Sequence, residues 1–189
     1  MNLKEEIEKA AEVLNAGGII LYPTDTIWGI GCDATNPEAV EKIYRLKQRS
    51  DSRSMLVLLD TTAKLDYYIE EVPDIALDLI EYSEKPLTII YSGGRNVAAN
   101  LIASDGSLGI RITKEAFSSG LCRRFKKPIV STSANISGRP PASSFSQIEE
   151  EIKSAVDYIA DYGRAETGNQ KPSGIIKLGK GGLVEIIRE

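Results

Sequence analysis

Any chemistry this chain performs is done without histidine, because none occurs among its 189 residues. Ser-His and Cys-His nucleophilic pairs and every histidine-ligated metal site are thereby excluded. Two cysteines, Cys32 and Cys122, supply neither a disulfide framework nor a cysteine zinc site. What remains are carboxylates, cations, hydroxyls and amides, and three segments concentrate them. The first runs from Tyr22 through Pro23, Thr24, Asp25 and Thr26 into Trp28, Gly29 and Gly31. It offers two hydroxyls and a carboxylate where an apolar run turns, which suits ligand contact at a strand end and equally suits a polar connector. The second holds Lys47, Arg49 and Arg53 after a helical stretch. An ammonium and two planar guanidinium forks match phosphate oxygens, although cations at a helix end also answer its dipole. The third holds Ser131, Thr132, Ser133, Asn135 and Ser137, a dense uncharged donor set directly after an apolar run. A weaker fourth is Pro172, Ser173 and Gly174.

Positioning these groups falls to alternating helices and strands. Residues 4–15 have the apolar spacing of an amphipathic helix (Ile7, Ala10, Ala11, Leu14), stopped by Gly17 and Gly18. Asn36 as cap and Pro37 at the first helical position predict a second helix through Leu46. Helices are also expected over 73–81, 114–125 and 145–154, the last with Ser146 and Glu149 spaced as a capping box. Strands are expected over 19–22, 55–59, 87–91, 107–112, 129–131, 158–160, 174–178 and 183–187. The fold class is α/β, one mixed sheet flanked by helices, in a single domain over residues 1–189. A hydrophobic share of 42% with 26% charged residues fits a soluble globular protein. The apolar runs are too short for a membrane span, and the charged N-terminus lacks a signal-peptide core, so a cytoplasmic location is expected. Gly174, Gly179 and Lys180 are spaced as in a phosphate-binding P-loop, but Gly181 stands where Ser or Thr must hold magnesium and a strand follows instead of a helix.

Taken in order, these segments resemble the YrdC-type family of threonylcarbamoyl-AMP synthases, the YrdC/YciO family in its short single-domain form. The resemblance rests on residues 22–31, Lys47 with Arg49 and Arg53, Gly109 and Arg111, 131–138, Pro172 with Ser173, and the closing 186–188. It implies a YrdC-like open twisted mixed sheet with a concave basic face. It implies an ATP site of Lys47, Arg49, Arg53, Ser107, Ser133, Asn135 and Arg188, with Lys47 and Arg49 as the catalytic pair. It also implies a threonine site of Thr26, Arg111, Ser131 and Ser173. The departures are Leu58, where some relatives carry a threonine-contacting histidine, and Ser54, Thr113 and Gly174.

The reaction so implied joins L-threonine to bicarbonate as a carbamate, which attacks the α-phosphate of ATP and expels pyrophosphate. The product, threonylcarbamoyl-AMP, is the activated precursor of the tRNA modification threonylcarbamoyladenosine, transferred by a separate threonylcarbamoyl-transferase complex. Such chemistry needs no protein nucleophile, and Mg2+ would arrive with ATP, with no protein metal site expected. Two other readings stay open. A YciO-like paralogue would keep the nucleotide site and change the acceptor. An RNA-binding or ribosome-associated module of the same fold would grip tRNA or double-stranded RNA through the basic stretches 42–53 and 123–127, against a net charge of −4.

Overall fold

The computed structural model describes residues 2–48, 55–165 and 171–189. Helix α1 (Leu3–Asn15) opens on a capping box in which Asn2 and Glu5 satisfy each other's backbone N–H groups. Its inward face is Ala10, Ala11 and Leu14. Gly17, at a φ of +76°, turns the chain out of the helix, a conformation that a Cβ disfavours. The fully buried β1 (Ile20–Tyr22) then pairs antiparallel with β2 (Gly29–Gly31). The loop between them carries Thr24, Asp25 and Thr26. Helix α2 (Pro37–Leu46) starts where expected, with the Asn36 side chain accepting from the N–H groups of Glu38 and Ala39.

The remaining elements in chain order are β3 (Leu56–Leu59), α3 (Leu65–Tyr68), α4 (Asp74–Tyr82), β4 (Leu87–Tyr91), β5 (Leu108–Ile112), α5 (Ala116–Phe125), β6 (Ile129–Ser133), α6 (Glu150–Ala155), β7 (Tyr158–Ile159), β8 (Gly174–Leu178) and β9 (Val184–Arg188). Among the described residues, the nine strands join one mixed sheet in the order β7-β1-β2-β6-β3-β5-β4-β8-β9. The β1–β7, β3–β5 and β4–β8 pairs are parallel and the others antiparallel. Helices α1 and α5 pack on each other and against β1 and β3, with Phe117 of α5 meeting Tyr22 at 6.4 Å between ring centres. Glu6 fastens the start of α1 to the far end of the chain: its carboxylate is buried and accepts from the N–H groups of Asp161 and Tyr162.

Two expectations need correction. The helix expected over 145–154 is broken. A single turn (Phe145–Gln147) ends at buried Ile148, and α6 begins at Glu150 behind Glu149 without a side-chain cap. Phe145 is drawn instead onto Trp28, 4.8 Å between ring centres, and that contact overrides the Ser146 box. Strand β2 was not expected at all, because Gly29-Ile30-Gly31 has no β-forming pattern. Its glycines are required by proximity: a Cβ on Gly31 would stand 2.6 Å from both the Tyr22 ring and the Val130 carbonyl.

Candidate functional site

Strand alternation decides which side chains face the site. Along β5, Leu108 and Ile110 are buried in the core while Ser107, Gly109 and Arg111 line a cavity of about 600 Å³ on the other face. That size lies within the range of roughly 300–1,000 Å³ usual for small-molecule sites. Register then arranges its floor in rows. Ser131, Leu56, Gly109, Ile90 and Lys177 stand side by side across five strands. The next row places Arg111 beside Thr88, and Thr88 beside Ile175. Gly109 leaves the middle of the floor open, and the β1–β2 loop closes one end with Thr26, Ile27 and Trp28.

Among the described cations that line the cavity Arg111 is the most buried, 4% exposed. One terminal nitrogen, Nη2, donates to Thr26 Oγ1 at 3.3 Å and lies 3.0 Å from Asp25 Oδ1. Its Nε is buried without a hydrogen-bond partner, and so is Asp25 Oδ1, since the ion pair is close but not aligned for hydrogen bonding. Burial pushes the Asp25 carboxyl above its usual range, and the adjacent Arg111 opposes that rise. Thr26 is held from behind by Thr24, whose Oγ1 lies 3.0 Å from Thr26 Oγ1 and also donates to the Ile27 carbonyl. Across the cavity Ser173 Oγ and Thr88 Oγ1 share a hydrogen bond of 2.8 Å, and the Ser173 carbonyl accepts from Arg188 Nε at 2.9 Å. Burial, and then repulsion from Arg111, lowers the pKa of Arg188. Two guanidiniums, Arg111 and Arg188, facing one cavity favour an anionic ligand. At the rim, Asp105 accepts from Lys177 Nζ at 2.8 Å and from the Ser107 N–H at 3.0 Å, and these bonds hold its carboxyl well below the usual range.

Of the residues singled out from the sequence, Thr26, Arg111, Ser131, Ser173, Ser107, Ser133 and Arg188 all line this cavity. Arg49 and Arg53 lie outside the described residues. Lys47 and Asn135 are described but do not line it. Lys47 is not the solvated cation its position at a helix end suggested. It is 2% exposed, and its ammonium donates to the carbonyls of Ser133 at 2.5 Å and Asn135 at 2.8 Å. Its own carbonyl accepts from Ser137 N–H at 3.2 Å, so Lys47 holds the loop after β6 at three points. Asn135 donates to the carbonyls of Ile136 and Arg139, which folds the same loop back on itself. Leu58, beside Arg111 on β3, is fully buried and brings no polar group to the site.

Sequence reasoning missed Thr88, Asp105 and Lys177. Thr88 had one legible signal, an aliphatic hydroxyl inside the otherwise apolar start of the run Leu87–Tyr91. Asp105, just before β5, and Lys177 on β8 meet through the pairing of β5 with β4 and of β4 with β8, which spacing does not disclose. Among the described residues no group of three or more carboxylates and cysteines is placed to hold a metal ion, and no helix is long and apolar enough to cross a membrane.

A mixed sheet whose open face carries two arginines, a row of hydroxyls and a glycine floor defines an α/β protein built to bind a small anionic ligand. Residues 12–189 match the family model Sua5_yciO_yrdC, described as "Telomere recombination", and the chain belongs to that family. A Vibrio campbellii protein named threonylcarbamoyl-AMP synthase is 32% identical over 90% of this chain and 93% of its own length. A Pseudomonas aeruginosa protein of the same name is also 32% identical, over 93% and 94%. Among solved structures, Escherichia coli YciO superposes with a TM-score of 0.85 at 26% identity, over 98% of this chain and 89% of that one. The fold is shared with the Pyrococcus abyssi Sua5 complex with L-threonine (TM-score 0.82, 24% identity), of which this chain spans about half, 51%.

Proposed function

We propose that this chain is a threonylcarbamoyl-AMP synthase, making threonylcarbamoyl-AMP and pyrophosphate from ATP, L-threonine and bicarbonate. The observation that carries the reading is one cavity shared by Arg111, Thr26, Ser131 and Ser173 with Ser107, Ser133 and Arg188. Family membership and the name of the relatives support it. Arg111 takes the threonine carboxylate, and the hydroxyls of Thr26, Ser131 and Ser173 orient the rest of the amino acid. Ser107, Ser133 and Arg188 take the nucleotide, joined by Arg49 and Arg53 as phosphate ligands. Lys47 and Asn135 serve the nucleotide by shaping the loop that presents Ser133.

The threonine nitrogen, once deprotonated, bonds to the carbon of bicarbonate with loss of water. The resulting carbamate oxygen attacks the α-phosphorus as the bond to the pyrophosphate oxygen breaks. Carbamates decompose in water, so the enzyme's contribution is to hold three reactants together under cover, worth on the order of 7–11 kcal/mol in favourable cases. Arg188, with Arg49 and Arg53, stabilises charge gathering on the departing pyrophosphate. Asp105, the carboxylate lining the cavity, is already bonded to Lys177 and Ser107. Magnesium would therefore take its ligands from phosphate oxygens and water, and no step here runs through it. The product passes to a threonylcarbamoyl-transferase complex acting on tRNA.

The test is pyrophosphate release with each substrate omitted in turn, with the adenylate identified by mass spectrometry after labelled bicarbonate. All three substrates should be required. ATP cleavage that ignores threonine overturns the reading, and equal turnover with other amino acids points to a YciO-like relative with a different acceptor.

A further inference from the structure

Asp25 is the one charged member of the β1–β2 loop, and the proposed chemistry leaves it without a role. It does not line the cavity, and its side chain is only 13% exposed. It reaches the site solely through Arg111, 3.0 Å away. Burying a carboxylate this far is costly unless it is well paired, yet its inner oxygen lacks an aligned hydrogen bond. The arginine shows the complementary feature. Nη2 is taken by Asp25 and Thr26 while Nε, equally buried, is left over. A guanidinium pinned at one corner keeps a defined orientation, and its free N–H can then meet an incoming carboxylate without searching rotamers. Arg188 adds the need for such a pin. The two guanidiniums repel each other, and the anchored Asp25 holds Arg111 on its own side of the cavity in the absence of ligand.

We infer that Asp25 is a positioning residue for the amino-acid half of the site: it aims Arg111 so that Nε stays available to a substrate carboxylate. The inference rests on the amino-acid reading of Arg111 given above. It assigns Asp25 no contact with ATP and no share in proton transfer.

The experiment is steady-state pyrophosphate release by Asp25→Asn and Asp25→Glu, with threonine and ATP varied separately and thermal unfolding followed on the same samples. Asp25→Asn should raise KM for threonine about tenfold or more, while KM for ATP stays within about twofold. Asp25→Glu keeps the charge but moves it by one methylene, and should fall between wild type and Asp25→Asn. Threoninol, which lacks the carboxylate, gives a readout that lost stability alone would not move. Its inhibition constant should be the same in wild type and variants, because Arg111 has nothing to aim at. A folded Asp25→Asn with unchanged KM for threonine overturns the inference, as does a parallel rise in both KM values. Should Asp25→Asn not fold, a normal threonine KM in folded Asp25→Glu overturns it equally. Wild-type protein that releases no threonine-dependent pyrophosphate would instead strike the parent reading, so the two failures are told apart.

Discussion

At the scale of single residues, Lys47 shows what sequence discloses and what it hides. Its place beside Arg49 and Arg53 pointed to a nucleotide site, and in the structure its ammonium donates to the backbone carbonyls of Ser133 and Asn135, two residues proposed for that site. What spacing could not disclose is burial: a lysine at a helix end reads as solvated until a loop from 86 residues further on is folded over it. The consequence is measurable. A solvated helix-end cation contributes under about 1 kcal/mol, whereas removing a buried ammonium strands two carbonyls at roughly 1–3 kcal/mol each. Lys47→Ala should therefore lower Tm by on the order of 5–15 °C, taking roughly 2–4 °C per kcal/mol for a chain of this size. It should also raise KM for ATP more than KM for threonine, because the loop it braces presents Ser133. An unfolding curve superimposable on wild type would refute the brace. Arg111, by contrast, was legible in its neighbourhood with Gly109, but its partner Asp25 was not, since only the β1–β2 turn brings residues 25 and 111 together.

Among the elements, helices with explicit caps were the easiest to read. Asn36 and Pro37 fix the start of α2 by satisfying or removing the N–H groups that a helix leaves over. Strands β3, β4 and β8 were legible because their apolar runs are bounded by turn residues. Strand β2 was hidden because its identity comes from close packing against Tyr22 and Val130 and not from propensity. The outermost strand, β9, divides stability from function. All its residues are exposed, Ile186 and Ile187 by 50% or more, so it buries little, yet it carries Arg188 to the cavity. Removing residues 183–189 should cost the hydrogen bonds to β8, Gly179 and Ser173 and lower Tm by on the order of 10 °C, because net hydrogen-bond contributions are about 1 kcal/mol each, at roughly 2–4 °C per kcal/mol. ATP affinity should fall at least tenfold. Arg188→Ala in the intact chain should reproduce the ATP defect with a smaller loss of Tm than the truncation, since only the bond to the Ser173 carbonyl is lost. Calorimetric titration of ATP into both proteins checks this, and undiminished affinity in Arg188→Ala would remove that residue from the nucleotide site.

For the whole molecule the question is whether its basic residues serve RNA or a small ligand. Sequence alone left both open, since the stretches 42–53 and 123–127 are rich in Lys and Arg while the net charge is −4. Folding allocates several of those charges internally. Lys42 donates to the Gly17 carbonyl at 2.8 Å, Arg45 pairs with Glu41 at 3.2 Å, and Lys47 is buried. In the second stretch Lys127 pairs with Asp33 at 2.7 Å, and Arg124 lies 4.0 Å from Glu8 of the acid-rich α1. Cations so occupied have little to offer a phosphate backbone, whose binding depends on neutralising many phosphates at once. Arg111 and Arg188 face a cavity sized for a small molecule, where a duplex does not enter. Double-stranded RNA should therefore bind no more tightly than roughly 10⁻⁴–10⁻⁶ M, the range of non-specific nucleic-acid binding, with affinity collapsing as salt is raised. Pyrophosphate release should be indifferent to added tRNA. The double variant Arg123→Glu, Arg124→Glu should weaken even that residual binding while turnover stays within about twofold of wild type, because neither residue lines the cavity and its preorganised donors stay in place. Submicromolar RNA binding that survives physiological salt, or turnover that rises with tRNA, would return the face carrying α5 to the functional surface of the molecule.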